Sequence, residues 1–329
     1  MNFQSLQSTD KAPVIATAKA WLEGIDLPDE TAVGWSGGVD STAMLLALHS
    51  AGCRVRAWHV DHGWRDDSAR EAAILTGQAA AWGIPFFSAR LSVTSSANME
   101  AVARKGRYAQ FAAWSREQGI DVLCLGHHRD DQAETVCMRM LQGAGVMGCR
   151  GMRVRHNLNG LHILRPLLHV PRTHLQQALH EAGVCWLEDP YNADTRFLRN
   201  RIRHHLFPCM RKAGCEPAVL YLRWQQQAVQ LAELIEAEVA GIEITQNQVS
   251  VSLAWSDWVK CSAAVRAQLL QRMMSRLQGE GVVAGRRHIL LAERWTTDGG
   301  RGGLDLSRCR LRRCKGHLHL EFVPKHPHA

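Results

Sequence analysis

Cys-x-x-Cys does not occur in this chain, although ten cysteines are spread over its 329 residues. The tail pair Cys309 and Cys314 matches no zinc-ligand spacing. Most of the others lie in apolar helical or strand patterns, where a thiol acts as a small hydrophobe. That usage predicts a reducing, cytosolic setting. No apolar run is long enough to cross a bilayer, and the polar opening 1–10 has no signal-peptide core, so no membrane partner is expected. Internal repeats and low-complexity stretches are absent as well. Finally, the chain's most conspicuous glycine-rich turn lacks the Gly-Lys-Ser/Thr of a Walker loop, which argues against phosphoryl transfer of that kind.

What is present begins with length and charge. The chain is long enough for two domains and a sizeable core. Lysine and arginine total 39 against 31 acidic residues, a net of +8. A moderate positive excess favours polyanionic partners such as nucleic acid, though many basic proteins bind none. Arginines concentrate in residues 150–155, 196–211 and 308–313. Local density of this kind makes an electrostatic footprint, although each cluster also reads as a solvated face.

Strand and helix patterns alternate through the first two-thirds. Candidate strands span 32–35, 55–60, 86–91 and 122–125; helical patterns span 42–50, 68–82, 99–118 and 131–141. Gly52, Gly83 and Gly119 sit just past helices, as left-handed caps would. This alternation predicts an α/β fold with a doubly wound, Rossmann-like parallel sheet. Residues 161–168 read as a further strand and 172–182 as a helix. An irregular segment, 187–192, leads into a helical pattern over 196–207 that Pro208 is expected to end. Gly214 and Pro217 mark a boundary between domains 1–215 and 216–329. The second opens with a long helix, 219–239, and reads as a smaller, mainly helical module. Its end, 304–322, reads as strands around Cys314-Lys315-Gly316, and residues 324–329 read as frayed.

In a doubly wound sheet, ligands bind beyond the carboxyl ends of the strands, and the polar clusters fall there. Ser36-Gly37-Gly38-Val39-Asp40-Ser41 follows the first strand and opens a helix. Its glycines permit a sharp bend close to a ligand. Free amides at a helix start, with two serine hydroxyls, form an anion cradle. A loop without lysine suits a nucleotide that loses pyrophosphate; an ordinary glycine-rich turn shares the local pattern. Asp61-His62-Gly63-Trp64-Arg65 follows the second strand. Gly126-His127-His128-Arg129-Asp130-Asp131-Gln132-Ala133-Glu134-Thr135 follows the fourth. There Asp130 or Asp131 is the expected N-cap. Asp131 and Glu134 share a helical face and suit Mg²⁺ or an ammonium group, unless they serve only as a capping pair. Arg104 and Arg107, three apart on the 99–118 helix, offer fork-shaped donors to phosphate or carboxylate.

The ordered set of these segments resembles the tRNA(Ile)-lysidine synthetase family of the PP-loop ATP pyrophosphatase superfamily. The residues that carry the resemblance are Ser36 to Ser41, Val60-Asp61-His62-Gly63, Ala103-Arg104 with Arg107-Tyr108, and the His127 to Thr135 run. Gly143-Ala144-Gly145, Gly151-Met152, Arg165-Pro166-Leu167-Leu168, Glu188-Asp189-Pro190 and Arg199-Asn200 with Arg203 follow in order. The likeness covers about residues 30–210. The hexapeptide marks only the superfamily; the His-His-x-Asp-Asp and Arg-Asn-x-x-Arg runs are more specific.

The resemblance implies an ATP- and Mg²⁺-dependent ligase. It would join free L-lysine to the wobble cytidine in the CAU anticodon of an isoleucine tRNA, through an adenylated base, releasing pyrophosphate and then AMP. Ser36, Gly37, Gly38, Val39, Asp40 and Ser41 would hold ATP. Asp40 and Asp131 are the candidate Mg²⁺ ligands. Asp131 and Glu134 would receive the lysine's cationic end, one of them helping to remove its proton. Arg107 and Arg199 would neutralise phosphate charge or hold the lysine carboxylate. His128 would orient the nucleotide or move a proton. Arg104 and Arg203 complete the candidate lysine or tRNA contacts, and Arg201 and Arg211 are further backbone-contact candidates. Gln142 and Tyr191 depart from the family's usual residues, which touches local substrate contacts rather than the reaction. The tail has room for one accessory module, which points recognition toward the anticodon side. Oligomeric state is not legible; a homodimer stays open. Alternatives are a PP-loop tRNA thiolase, an amidotransferase-type ligase and a tRNA-binding protein without catalysis. Cys137 and Cys149, far apart, make a poor sulfur relay.

Overall fold

In the computed structural model, the described residues are 12–61, 63, 68–91, 99–158, 160–188, 194–279 and 282–323. His62, Trp64, Arg65, Asp189, Pro190, Tyr191, Asn192 and the tail 324–329 lie outside them.

Two compact units divide between Gln226 and Gln227. The first contains α1 (Ala18–Leu22), β1 (Glu30–Gly34), α2 (Val39–Ser50), β2 (Arg54–Asp61), α3 (Ser68–Trp82), β3 (Phe86–Arg90), α4 (Met99–Gln118) and β4 (Val122–Leu125). It continues through α5 (Arg129–Leu141), β5 (Arg155–Leu158), β6 (Leu161–Leu164), α6 (Arg172–Glu181), α7 (Leu198–Arg201) and α8 (Phe207–Lys212). The strands form one sheet in the order β3-β2-β1-β4-β6-β5. Every neighbouring pair is parallel except the edge hairpin β5–β6.

Both faces of the sheet are covered, as a parallel sheet requires. On one, α2 packs Ala43, Leu45, Leu46 and Leu48 with Leu175 and Leu179 of α6 and Trp35. Residues 39–48 of α2 are buried on every side apart from Asp40, so its sequence is apolar almost all round. On the other, Trp58, Phe111, Trp114, Leu123 and Ile163 make a second core. The expected strand over 161–168 stops at Leu164, and Leu167 continues the apolar run inside a buried turn. The edge strand β5 carries three exposed residues, and no strand was expected there.

Pro208 does not end the helical pattern. A π turn, Ile202–Leu206, links α7 to α8, and Pro208 falls in the first turn of α8, where its missing N–H costs nothing. The wider π ladder receives the ring without breaking the chain's direction.

Helix α9 (Pro217–Ala240) carries the division between units. Its beginning and end serve different cores: Ala218 packs with Ile202 and Phe207, whereas Val239 packs with Val251 and Leu269. The second unit adds a five-stranded antiparallel sheet to its helices. Its elements are β7 (Thr245–Gln246), β8 (Ser250–Ala254), α10 (Trp255–Lys260), α11 (Ala263–Gln278), α12 (Arg286–Thr297), β9 (Gly303–Leu306), β10 (Cys309–Cys314) and β11 (His317–Phe322). The sheet order is β7-β8-β11-β10-β9. Lys315 (φ 47°) and Gly316 (φ 78°) turn β10 into β11 with two left-handed residues, the two-residue hairpin geometry that matches strand twist. Leu311, Leu318 and Leu320 face a core with Leu269, Leu270 and Met273 of α11. No helix among the described residues is long and apolar enough to cross a membrane.

Candidate active site

The chain turns sharply after β1. Gly37 has φ +81°, and a Cβ there would lie 2.8 Å from both Leu75 and Leu187 side-chain carbons. Leu187 also donates its N–H to the Gly37 carbonyl at 2.9 Å. The backbone N–H of Ser36 donates to Ser41 Oγ at 3.1 Å, and that hydroxyl donates to the Gly38 carbonyl at 3.1 Å. The Ser36 and Ser41 hydroxyls are 3.1 Å apart. These bonds brace the loop from within. Gly38 is the N-cap of α2 and makes no side-chain cap bond; Val39 and Asp40 begin the helix. The first-turn amides of α2 are thus available to an anion.

The second crossover lies against the first. A Cβ on Gly126, just past β4, would sit 2.7 Å from the Asp40 carbonyl oxygen and 2.9 Å from the Ser41 nitrogen. Only glycine permits that approach. Two residues on, the wholly buried His128 is the N-cap of α5. This corrects the expected cap at Asp130 or Asp131. The Asp131 N–H donates to His128 Nδ1 at 3.3 Å, and the His128 N–H donates to Asp131 Oδ2 at 3.1 Å. The imidazole takes the cap because the helix starts at Arg129, ahead of the carboxylates expected to cap it. Asp130 instead accepts the Arg172 N–H at 3.0 Å.

His128 joins the two crossovers. Its Nε2 lies 3.5 Å from Asp40 Oδ1 and 3.2 Å from Asp131 Oδ2. Arg172 Nε approaches the same Asp40 oxygen at 3.4 Å. The carboxylates of α5 also meet the arginines of the α7–π segment. Arg203 donates from Nε to Glu134 Oε1 at 2.7 Å and from Nη2 to Glu134 Oε2 at 2.9 Å, a two-toothed pair. The same Nη2 reaches Asp131 Oδ1 at 3.1 Å. Arg199 donates to Thr135 Oγ1 at 3.0 Å, with its Nε 3.7 Å from Glu134. Arg203 is therefore engaged by the two carboxylates.

Arg104 and Arg107 both lie on α4 beside Tyr108. The Arg104 guanidinium lies 5.0 Å from the Tyr108 ring centre, and that of Arg107 lies 6.0 Å away. Arg104 bears electrostatically on His127, as do Arg165 and Arg199. Gln132, one turn into α5, pairs both ways with the Met152 backbone, at 2.8 and 2.7 Å.

The environments push the titratable groups apart. Burial alone would raise Asp131, but His128, His127 and Arg203 outweigh it and hold its carboxyl below the usual range. For Glu134, burial prevails over Arg203 and raises it. Burial disfavours charge on His128, yet the carboxylates of Asp40 and Asp131 raise its pKa. His127 goes the other way: burial, helped by Arg165, Arg199 and Arg104 against Asp131, lowers it to about 4. Burial thus keeps His127 neutral, while His128 Nδ1 is the acceptor that caps α5.

His127 and Arg165 stood among the motif residues of the sequence without a role, and Arg172 was missed as a neighbour of the site. The signal for Arg172 was present, as an arginine just after Pro171 at a helix start beyond a strand.

Residues 15–210 match the PP-loop domain family, and with this loop and sheet order the chain belongs to it. The tRNA(Ile)-lysidine synthase of Chlamydia pneumoniae is 35% identical over 221 residues, covering 66% of this chain and 69% of that one. The synthase of Bordetella pertussis is 35% identical over 270 residues, covering 78% and 84%. Within the PP-loop proteins, then, this chain is a member of the tRNA(Ile)-lysidine synthase family. A U34-tRNA thiolase, NcsA from Methanococcus maripaludis, shares the fold at TM-score 0.54 and 17% identity, covering 65% of this chain and 77% of that chain.

Proposed function

We propose that this enzyme joins free L-lysine to the wobble cytidine of the CAU anticodon of isoleucine tRNA, using ATP. The observation that carries the reading is the meeting of the two crossovers at Asp40, His128 and Asp131. A glycine-rich anion cradle there faces a carboxylate pair, the pairing that adenylation followed by amine attack requires.

Cytosine's carbonyl oxygen is a poor leaving group. Its attack on the α-phosphorus of ATP breaks the bond to pyrophosphate and turns that oxygen into part of a good leaving group. The ε-amine of lysine then attacks carbon 2 and AMP departs with the oxygen. Ser36, Gly37, Gly38, Val39 and Ser41 would hold the phosphates. The residues also fit a Mg²⁺ ion. Asp40 Oδ1 is buried without a hydrogen-bond partner, and Mg²⁺ typically takes one or two carboxylates together with phosphate oxygens. Asp131 is the weaker candidate, because Arg203 and His128 already engage its two oxygens. Such an ion would offset phosphate charge.

Asp131, held anionic, would draw the lysine ammonium by its charge, although His128 and Arg203 already engage its two oxygens. Glu134, whose pKa is raised, would take up a proton more readily and so favour the free amine that attacks. Arg203 would fix both carboxylates; Arg104, Arg107 and Arg199 would face the lysine carboxylate or tRNA phosphates. The second unit would be an accessory tRNA contact through the outward arginines of β10. A cytosolic enzyme accords with ten unpaired cysteines. Incubation with ATP, lysine and CAU-anticodon isoleucine tRNA, followed by nucleoside mass analysis, tests the reading. It should yield lysine-modified cytidine and no sulfur-bearing base; an unmodified wobble cytidine refutes it.

A further inference from the structure

Residues 36–41 contain no lysine or arginine, yet a departing pyrophosphate is strongly anionic. Arg172 stands where that charge would fall. It is the first residue of α6, following Pro171 at the N-cap. Helices α2 and α6 both follow parallel strands and pack together through Ala43, Ala47, Leu175 and Leu179. Their first turns therefore share the carboxyl edge of the sheet.

The Arg172 backbone is pinned. Its N–H donates to Asp130 Oδ2 at 3.0 Å, and the neighbouring Val170 carbonyl accepts the Arg129 N–H at 2.9 Å. The side chain is not satisfied in the same way. Its Nε is buried, lacks a hydrogen-bond partner and lies 3.4 Å from Asp40 Oδ1. That oxygen is itself buried and unpartnered. So is Nε2 of His128, a side chain with no exposure, 3.5 Å from the same oxygen. Three buried polar atoms converge on one point without making well-aligned bonds. Buried polar groups are seldom left so, because each forfeits its hydrogen bonds with water. The donors of Arg172 and His128 suit a bound anion, and the Asp40 oxygen beside them suits a cation that accompanies it.

We infer that Arg172 is a pyrophosphate-binding residue of the adenylation step, supplying from α6 the cation that the glycine-rich loop lacks. This rests on the reading of that loop as an ATP site. As the cytidine oxygen bonds to the α-phosphorus, the bond to pyrophosphate breaks and its electron pair leaves on pyrophosphate. The guanidinium's donors meet the charge that develops there. A guanidinium fits better than an ammonium because its fork can grip two oxygens at once.

Calorimetric titration of Mg²⁺-pyrophosphate and of AMP into wild type, Arg172→Gln and Arg172→Lys tests the assignment. Arg172→Gln should weaken pyrophosphate binding about tenfold or more, while AMP binding stays within about twofold, the scale of removing one charge-assisted hydrogen bond. Arg172→Lys, which keeps the charge, should fall between and serves in place of the glutamine variant if that variant does not fold. Unchanged pyrophosphate affinity overturns the inference. Equal loss of AMP and pyrophosphate also overturns it, since that marks a purely structural contact with Asp40. A wild type that binds neither AMP nor pyrophosphate would instead overturn the ATP reading itself.

Discussion

The imidazole Nε2 of His128 stands 3.5 Å from Oδ1 of Asp40, across the gap between two strand-to-helix crossovers. The contact exists because β1 and β4 are adjacent parallel strands. It is that close because residue 126 has no side chain to hold the two turns apart. The glycine-rich loop and the carboxylates of α5 thus lie side by side.

Replacing Asp40 should separate nucleotide chemistry from folding. Its side chain is 31% exposed and contributes little to the core. Asp40→Ala should fold and melt near wild type but lose exchange of labelled pyrophosphate into ATP by about 100-fold or more, the scale of a deleted charge-stabilising group. Wild-type exchange in this variant would remove Asp40 from the nucleotide site.

Glu134 and Arg203 should behave as a coupled pair. Glu134 is almost fully buried, and both its oxygens accept from Arg203. Glu134→Ala leaves that guanidinium half-matched and should cost about 3–5 kcal/mol in urea unfolding, the usual penalty for breaking a buried pair. Adding Arg203→Met should recover part of the loss. In the folded fraction, lysine-dependent AMP release should slow at least as much as adenylation. Additive stability losses would show that the pair is not coupled.

The sheet was legible because its strands are short apolar runs between helices of clear period, and residues 122–125 are β4 to the residue. The loop and the His127 to Thr135 run were legible because their chemistry sits in consecutive residues. What could not be read comes from pairings distant in sequence. Arg203 reaches Glu134 across 69 positions, and nothing local marks it as an internal arginine rather than a tRNA contact. Arg172 reaches Asp40 only because α2 and α6 pack side by side. The cap of α5 was misplaced because the pattern favours aspartate, while the helix begins early enough for His128 to take the role. Pro208 misled because a π turn precedes it, and such turns leave no mark in residue spacing.

His127 sets an acid limit. Its folded pKa is lowered from 6.5 to about 4, first by burial and then by Arg165, Arg199 and Arg104. The unfolded chain binds that proton more readily. Its stabilising contribution is therefore complete above 6.5 and is lost as pH falls from 6.5 toward about 4. Asp131, held below 3.8, gives way only at still lower pH. Urea unfolding should weaken through the first window in wild type and flatten in His127→Asn. Imidazole NMR should find the ring neutral at pH about 5, where an ordinary histidine is charged. A charged His127 ring at that pH would contradict the burial argument.

The outward face of β10 should contribute affinity for tRNA without touching catalysis. Leu311 is buried between the exposed Arg310 and Arg312, so strand alternation turns both guanidiniums to solvent. Arg310 lies 3.5 Å from Asp305, and Arg312 lies 3.7 Å from Glu321. Exposed pairs of this kind are worth about 0–1 kcal/mol each, so reversing both charges should leave the fold intact. If the strand tracks phosphates, R310E/R312E should weaken tRNA binding. It should also flatten the plot of log affinity against log salt by about 0.7–0.9 for each phosphate no longer neutralised. Pyrophosphate exchange measured at saturating tRNA should not change, because the variant leaves the loop and the carboxylates of the first unit intact. Equal tRNA affinity and an equal salt slope in the variant would place the tRNA elsewhere, because removing a cation from a phosphate cannot leave both quantities untouched.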